Sequence, residues 1–156
     1  MNFRSLCVIA AMLFLAACQT SPQSGANAGG SAAASAATPG SREDFVQNVG
    51  DRVFFDFNQS NIKPEGEQTL QRQAAWLKKY PNTKVTVEGH CDDRGTREYN
   101  LALGARRANA VKRALVALGI DANRITTISY GKERPAVIGD NEAAWAQNRR
   151  GVTVVQ

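Results

Sequence analysis

The stretch Lys84–Leu118, KVTVEGHCDDRGTREYNLALGARRANAVKRALVAL, carries the pattern that decides the fold. Its first residues, Lys84–Glu88, alternate between polar and apolar side chains, which is typical of a strand. Gly89–Gly95 is a polar loop. Apolar side chains then return every three or four residues, which predicts a long amphipathic helix: Leu101, Ala105, Ala108, Val111, Leu115 and Leu118. Gly119 is the predicted stop of this helix.

A similar unit precedes this stretch. Val53–Phe57 is rich in aromatic and β-branched residues and predicts a strand. Asn58–Asn61 has the polar composition of a turn. Pro64 is expected to open a helix, because the first helical turn does not need its missing N–H. Tyr80–Asn82 contains a proline and is expected to end that helix.

The remainder of the chain predicts one more strand, a loop, a short helix and a closing strand. Their expected positions are Ile125–Tyr130, Gly131–Asp140, Glu142–Asn148 and Val152–Val155. The resulting order β-α-β-α-β-α-β predicts an α/β (α+β) sandwich in which the helices pack on a mixed four-stranded sheet.

The N-terminus predicts export and lipid attachment. Residues 1–17 are interpreted as a signal peptide, because the uncharged run Leu6–Ala17 is shorter than the about 20 residues of a membrane-spanning helix but fits a secretory signal. The run ends in Leu15-Ala16-Ala17-Cys18, which looks like a lipobox. The Cys18 thiol is therefore predicted to accept lipid, and two or more acyl chains make a stable anchor. The alternative is ordinary secretion with a chance cysteine.

Residues 18–41 are predicted to comprise the lipidated cysteine and a flexible linker. The linker consists mainly of Ala, Gly, Ser, Gln, Thr and Pro and has no aromatic or large aliphatic residue. Such a segment cannot bury enough surface to offset the entropy of ordering it. A spacer without a function of its own is the alternative. Residues 42–156 are expected to form one folded domain.

Composition excludes several classes of protein. The chain has 156 residues and a net charge of +5, but it lacks the Lys/Arg block of a nucleic-acid-binding arm. Its three cysteines do not suggest a disulfide framework, because Cys7 lies in the signal and Cys18 at the lipid site, which leaves Cys91 alone. No cofactor and no nucleic-acid partner are predicted.

The loop after the second strand and the following helix carry a candidate binding site. Asp92 lies just past the strand, where α/β folds commonly place ligands. Arg107 shares a helix face with Leu103 and alanines, so we expect it to lie along the surface and present its planar fork to a carboxylate. Asp92 favours an ammonium, and the two together would suit a zwitterion. A purely structural Asp–Arg pair is the alternative.

Catalytic and metal-binding interpretations have little support in the sequence. The chain has one histidine, whereas a cysteine nucleophile needs a base within reach and a structural zinc site needs about four ligands. His90 is interpreted as a structural residue. Trp76 and Trp145 are expected to pack in the core or at an interface. Arg149-Arg150 is interpreted either as a solvated turn or as a rim for an anionic ligand.

Five ordered motifs make the resemblance to a known family specific. The motifs are FFDFN at 54–58, GHCDDRG at 89–95, YNLALGARRANAV at 99–111, SYGKERP at 129–135 and QNRR at 147–150. With these motifs, the chain resembles over about residues 51–156 the peptidoglycan-associated lipoprotein (Pal) family, the lipid-anchored branch of proteins with an OmpA-like C-terminal domain.

The resemblance implies a non-catalytic domain that binds the meso-diaminopimelate of the peptidoglycan stem. The family's aspartate falls on Asp92 and its helix arginine on Arg107. Its supporting contacts fall on Phe57, Asn58, Arg94, Asn100 and Leu101. The sequence departs from the family at Cys91, where threonine is usual, and a cysteine is a weaker hydrogen-bond donor.

The resemblance also implies a location and partners. Gln19 follows the predicted lipid site, and a residue other than aspartate there permits transfer to the outer membrane in enteric bacteria. Proteins of this family bind TolB in the Tol-Pal system, which keeps the outer membrane drawn in during cell division. A wall hydrolase and a scaffold that acts mainly through proteins are the competing hypotheses.

Overall fold

The computed structural model describes residues 37–156. The predicted signal peptide, Cys18 and the linker as far as residue 36 lie outside the described residues. Within residues 37–156, no helix combines the length and apolarity needed to cross a membrane. The elements in chain order are α1 (Arg42–Asp44), a π-helical turn (Phe45–Val49), β1 (Arg52–Phe54), α2 (Pro64–Lys79), β2 (Val85–His90), α3 (Arg97–Ala117), a 3-10 turn (Ala122–Arg124), β3 (Ile125–Gly131), α4 (Glu142–Asn148) and β4 (Arg150–Val155).

The sheet is mixed, as predicted. Its strand order is β1-β4-β2-β3. Strands β2 and β3 are parallel, whereas β4 runs antiparallel to both of its neighbours. The predicted alternation of strands with α2, α3 and α4 is confirmed. The structure adds α1 and the π-helical turn, for which the sequence pattern gave no separate prediction.

Three predicted strand boundaries are wrong. Strand β1 ends at Phe54 rather than Phe57, because the chain bends into a turn closed by the hydrogen bond from the Gln59 N–H to the Asp56 carbonyl. Strand β2 continues through His90, inside the predicted loop, because it pairs with β3 as far as Gly131. Strand β4 begins at Arg150, two residues early, where it pairs with Phe54.

Helices α2 and α3 cover one face of the sheet, and the core lies between them and the strands. The core includes Phe45, Leu77, Val87 and Leu115, all without solvent exposure. Phe45 precedes β1 and packs edge-on against Trp76 of α2, with the ring centroids 4.9 Å apart. The segment before β1 is therefore part of the folded domain.

Local sequence signals set the ends of the helices as predicted. Pro64 is the first residue of α2. Helix α3 begins after Thr96, whose side chain accepts a hydrogen bond from the Tyr99 N–H. It ends at Ala117, and Gly119 follows at the predicted stop: Gly119 has φ +92° and donates to the Val116 carbonyl, while Ile120 donates to Leu115. These two bonds form a Schellman motif, which glycine favours because it has no Cβ.

A close contact between two glycines fixes α3 against β2. A Cβ on Gly89 would lie 1.8 Å from the Gly104 carbonyl oxygen, and a Cβ on Gly104 would lie 2.3 Å from the Ser129 Oγ. Real side chains do not fit at such distances, so the helix can approach the sheet only through these glycines. The contact places the N-terminal half of α3 beside the loop that follows β2.

Candidate functional site

A tight turn after β1 forms the first wall of the candidate site. Asn58 adopts a left-handed conformation with φ +57°, which asparagine tolerates better than most residues. The Tyr99 hydroxyl of α3 donates a hydrogen bond to the Asn58 side chain. Phe57 precedes it in the turn, and its side chain is 57% exposed. The turn therefore presents an aromatic ring to solvent on a backbone that α3 holds in place.

Asp92 lies in the loop after β2 and is only 4% exposed. Its Oδ2 accepts hydrogen bonds from Arg94 Nη2 at 2.6 Å and from Arg149 Nη1 at 3.3 Å. Burial opposes ionisation of the carboxyl group, but the hydrogen bonds from the two arginines outweigh it and hold the pKa of Asp92 below its ordinary value. Asp92 is therefore ionised, and its negative charge is already paired with Arg94 and Arg149.

The helix pattern predicted that Arg107 lies along the surface, but the structure places it in the interior. Its side chain has no solvent exposure. Its guanidinium donates to three backbone carbonyls, those of Gln59 and His90 at 2.8 Å and that of Asp56 at 3.0 Å. Burial lowers the pKa of Arg107 from its ordinary value. The prediction was wrong because the pattern of the helix carries no information about these acceptors. The three carbonyls lie at the turn after β1 and at the end of β2, far from Arg107 in the sequence.

Arg94 is held between two aromatic rings. Its guanidinium carbon lies 4.0 Å from the ring centroid of Phe57 and 4.0 Å from that of Trp145. Arginine stacks well on aromatic faces because the guanidinium is planar and weakly hydrated. Trp145 therefore packs against the charged wall of the site, and α4 contributes to that wall from outside.

Arg149 and Arg150 are both buried, so neither a solvated turn nor a rim describes them. Arg149 is 5% exposed and Arg150 is 8% exposed. Arg149 donates to the Phe55 carbonyl at 3.1 Å and to Glu142 at 2.5 Å, in addition to Asp92. Arg150 instead donates to two backbone carbonyls, those of Asn148 and Arg134. The two neighbouring arginines thus serve different parts of the fold.

A cavity of about 240 Å³ gathers six of the seven residues predicted for the ligand. Leu101 is the exception: it does not line the cavity, and its carbonyl accepts a hydrogen bond from the Ser129 hydroxyl. The sequence interpretation missed Gly95, Tyr99 and Leu103. The ten lining residues are Phe57, Asn58, Cys91, Asp92, Arg94, Gly95, Tyr99, Asn100, Leu103 and Arg107.

Asn100 and Cys91 fix the floor of the cavity. The Asn100 side-chain amide donates to the carbonyls of Arg94 at 2.8 Å and Thr96 at 3.1 Å. The Cys91 thiol donates to the Asn100 carbonyl at 3.3 Å. Burial raises the pKa of the Cys91 thiol, so the sulfur is a thiol rather than a thiolate. Cysteine here ties the loop to α3, although more weakly than a hydroxyl would.

His90 lies at the end of β2 and is buried. Its Nε2 is 3.4 Å from a Glu88 carboxylate oxygen, and its ring packs on Tyr130 with the centroids 5.5 Å apart. Burial, together with the positive charge of Arg150, lowers the pKa of His90 to about 4. The His90 side chain contacts groups other than the Cys91 thiol. Within residues 37–156, no group of three or more histidine, cysteine or acidic side chains is arranged to hold a metal ion.

Comparisons with known proteins agree on one family. The OmpA family matches residues 54–149. The peptidoglycan-associated lipoprotein of Agrobacterium fabrum is 54% identical over 145 residues, covering 92% of this chain and 82% of that protein. The crystal structure of the peptidoglycan-associated lipoprotein from Burkholderia pseudomallei has a TM-score of 0.70 and 40% identity, covering 74% of this chain and 100% of that one. The C-terminal domain of Helicobacter pylori MotB has a TM-score of 0.63 at 24% identity, covers 68% of this chain and 84% of that one, and shares the fold.

Proposed function

The chain belongs to the OmpA family and, within it, to the peptidoglycan-associated lipoproteins, and from that membership we propose that it anchors the outer membrane to peptidoglycan. In this proposal, lipid on Cys18 holds the N-terminus in the outer membrane. The linker then lets the domain in the periplasm reach the wall. The domain binds the wall without covalent chemistry.

One observation carries the choice of site: Asp92 and Arg107, of opposite charge, line the same cavity. A ligand with an ammonium and a carboxylate on one carbon would match both. Arg107 has five N–H groups and gives three to backbone carbonyls. In this proposal, the remaining N–H groups bind the ligand carboxylate. The free α-amino and α-carboxyl groups of meso-diaminopimelate in the peptide stem form such a zwitterion.

The other cavity residues suit a peptide ligand. Phe57 and Tyr99 offer aromatic faces to its aliphatic carbons, and Asn58 offers its side-chain amide to the peptide groups. The Asn100 amide already donates to the carbonyls of Arg94 and Thr96, so Asn100 shapes the cavity wall. Arg94 supplies a second cation for the carboxylates of the stem. Leu101 lies outside the cavity, so it would act through its backbone, which holds α3 against Ser129.

The same membership supports a place in the Tol-Pal system. TolB and other Tol proteins are the proposed partners, and the proposed role is envelope integrity and constriction at cell division. A binding module without catalysis fits this role. Co-sedimentation with peptidoglycan that releases no soluble fragments would support a non-enzymatic anchor, whereas fragment release would favour the wall hydrolase.

The decisive experiment measures co-sedimentation of the full chain, kept soluble in detergent, with purified peptidoglycan. A soluble stem peptide that contains meso-diaminopimelate should compete for binding. The same peptide with lysine at that position should not, because the free end of the lysine side chain carries an ammonium without a carboxylate. Asp92→Asn removes the charge with little change of shape and should abolish binding. Asp140→Asn, at an exposed position, is the matched control. Binding of Asp92→Asn at the wild-type level would show that the proposed site is wrong.

A further inference from the structure

Helix α4 contacts the cavity walls without lining the cavity. Trp145 of α4 stacks on Arg94, and Arg149, directly after α4, donates to Asp92. Neither residue is among those that line the cavity. Trp145 and Arg149 are therefore not positioned to contact a ligand in the cavity directly. Each contacts a charged side chain that does line the cavity.

Arg149 is held in one geometry by three acceptors. Its Nε, Nη1 and Nη2 donate to the Phe55 carbonyl, Asp92 and Glu142, respectively. Phe55 directly follows β1, Asp92 lies in the loop after β2, and Glu142 lies in α4. A guanidinium bound at all three nitrogens cannot rotate away, so it keeps the Asp92 carboxylate in one orientation.

Trp145 restricts Arg94 in a comparable way. Arg94 lies between Phe57 and Trp145 and contacts Asp92 through Nη2 at 2.6 Å. The Trp145 indole N–H is buried and has no hydrogen-bond partner in the part of the chain that the structure describes. The side chain therefore contributes its ring face rather than its polar group.

We propose that Arg149 and Trp145 are positioning residues of the ligand site: Arg149 orients the Asp92 carboxylate, and Trp145 holds the Arg94 guanidinium beside it. The inference rests on the proposed function, because it assigns roles in binding at that same cavity. It adds α4 to the binding machinery and distinguishes Arg149 from its neighbour Arg150, whose side chain donates to the carbonyls of Asn148 and Arg134 instead.

The charges around Asp92 give this inference a pH-dependent readout. Asp92 faces Arg94 on its own loop, Arg107 on α3 and Arg149 after α4, while Glu142 of α4 pairs with Arg149. Removing Arg149 takes away one of the two guanidinium donors that keep the pKa of Asp92 low. Binding that needs ionised Asp92 is lost as pH falls through that pKa, so its loss should begin at higher pH in the variant.

The test compares Arg149→Met with Arg150→Met in the full chain. Both variants remove a buried arginine, which donates to one backbone carbonyl in the case of Arg149 and to two in the case of Arg150, so both put folding at risk. Arg149→Met should bind peptidoglycan at least about 10-fold more weakly, and its acid-side loss of binding should move to higher pH. Arg150→Met should bind like the wild type with an unchanged pH profile. Thermal unfolding followed by circular dichroism checks that each variant is folded.

Trp145 provides a second, milder comparison. Trp145→Phe keeps an aromatic face for Arg94 and should retain binding, whereas Trp145→Leu should weaken it about threefold to tenfold. If Arg149→Met does not fold, Arg149→Lys replaces it, with Arg150→Lys as its control. Equal binding by Trp145→Phe and Trp145→Leu, together with equal binding by the matched arginine variants, would overturn the inference.

The proposed function and the positioning role can be refuted independently of each other. If Asp92→Asn binds peptidoglycan like the wild type, the cavity is not the site, and the proposed function loses its basis. If Asp92→Asn abolishes binding but Arg149→Met behaves like Arg150→Met, the cavity stands as the site and only the positioning role is refuted.

Discussion

Replacing Arg107 with methionine should destabilise the fold, in addition to any effect on ligand binding. The substitution removes three hydrogen bonds to backbone carbonyls. The bond to His90 is buried, and an unsatisfied buried acceptor costs about 1–3 kcal/mol. The bonds to Asp56 and Gln59 are partly buried, so water can replace them at about 1 kcal/mol each or less. Removing a buried charge recovers part of this cost, and we expect a net loss of about 3 kcal/mol.

Urea unfolding followed by far-UV circular dichroism measures this loss. Arg106→Met is the control, because Arg106 is the neighbouring arginine on the same helix and is exposed. Its free energy of unfolding should stay within about 0.5 kcal/mol of the wild type. A loss for Arg107→Met that differs from the control by less than about 1 kcal/mol would refute the view that Arg107 joins the turn after β1 to the end of β2.

Three further predictions follow from the packing and the titrating groups. Gly89→Ala should prevent the approach of α3 to β2 and lower the thermal unfolding midpoint far more than Gly66→Ala, where the nearest atom to the new Cβ is a methyl carbon at 3.1 Å; similar midpoints would contradict this. Cys91→Thr should unfold at an equal or higher temperature, because a hydroxyl can make the bond to Asn100 that the thiol makes; a clear loss of stability would contradict it. His90 is the only histidine of the chain, so an NMR titration should give a midpoint near 4. Because the unfolded chain binds this proton nearer pH 6.5, the His90 contribution to stability should be complete above that pH and be lost as pH falls towards 4; a midpoint near 6.5 would refute the burial.

The sequence predicted those features that depend on neighbouring residues. Pro64 and Gly119 mark helix ends because their backbone properties act within one turn, and both positions are confirmed. The predicted end of β1 is wrong. Phe55 and Phe57 have strand-forming side chains, but Arg107 of α3 holds the chain there in a turn. Long-range contacts of this kind leave no local pattern.

In the candidate site, too, local motifs are predictable from the sequence and long-range contacts are not. The residues around the loop at Asp92 could be gathered from motifs, and six of seven line one cavity. The exposure of Arg107 could not be predicted from its helix face, since a face shared with Leu103 and alanines does not reveal what packs over it. The burial of Arg149 is unpredictable for a comparable reason, because its partners Phe55, Asp92 and Glu142 lie in three separate parts of the chain.

The burial of Arg107 also determines which part of a zwitterion matters most for binding. The fold has already removed water from this guanidinium, and its three carbonyl contacts keep it in place before any ligand arrives. Binding a carboxylate there therefore requires little further desolvation or ordering of the protein. Asp92 differs, because its charge is shared with Arg94 and Arg149, and an ammonium has to compete with both. Since Arg94, Arg107 and Arg149 outnumber Asp92 and Glu142 in this cluster, the carboxylate of the ligand should contribute more affinity than its ammonium. An amidated ligand should therefore compete less well than one whose amine is acetylated, and the reverse order would show that Asp92 dominates recognition.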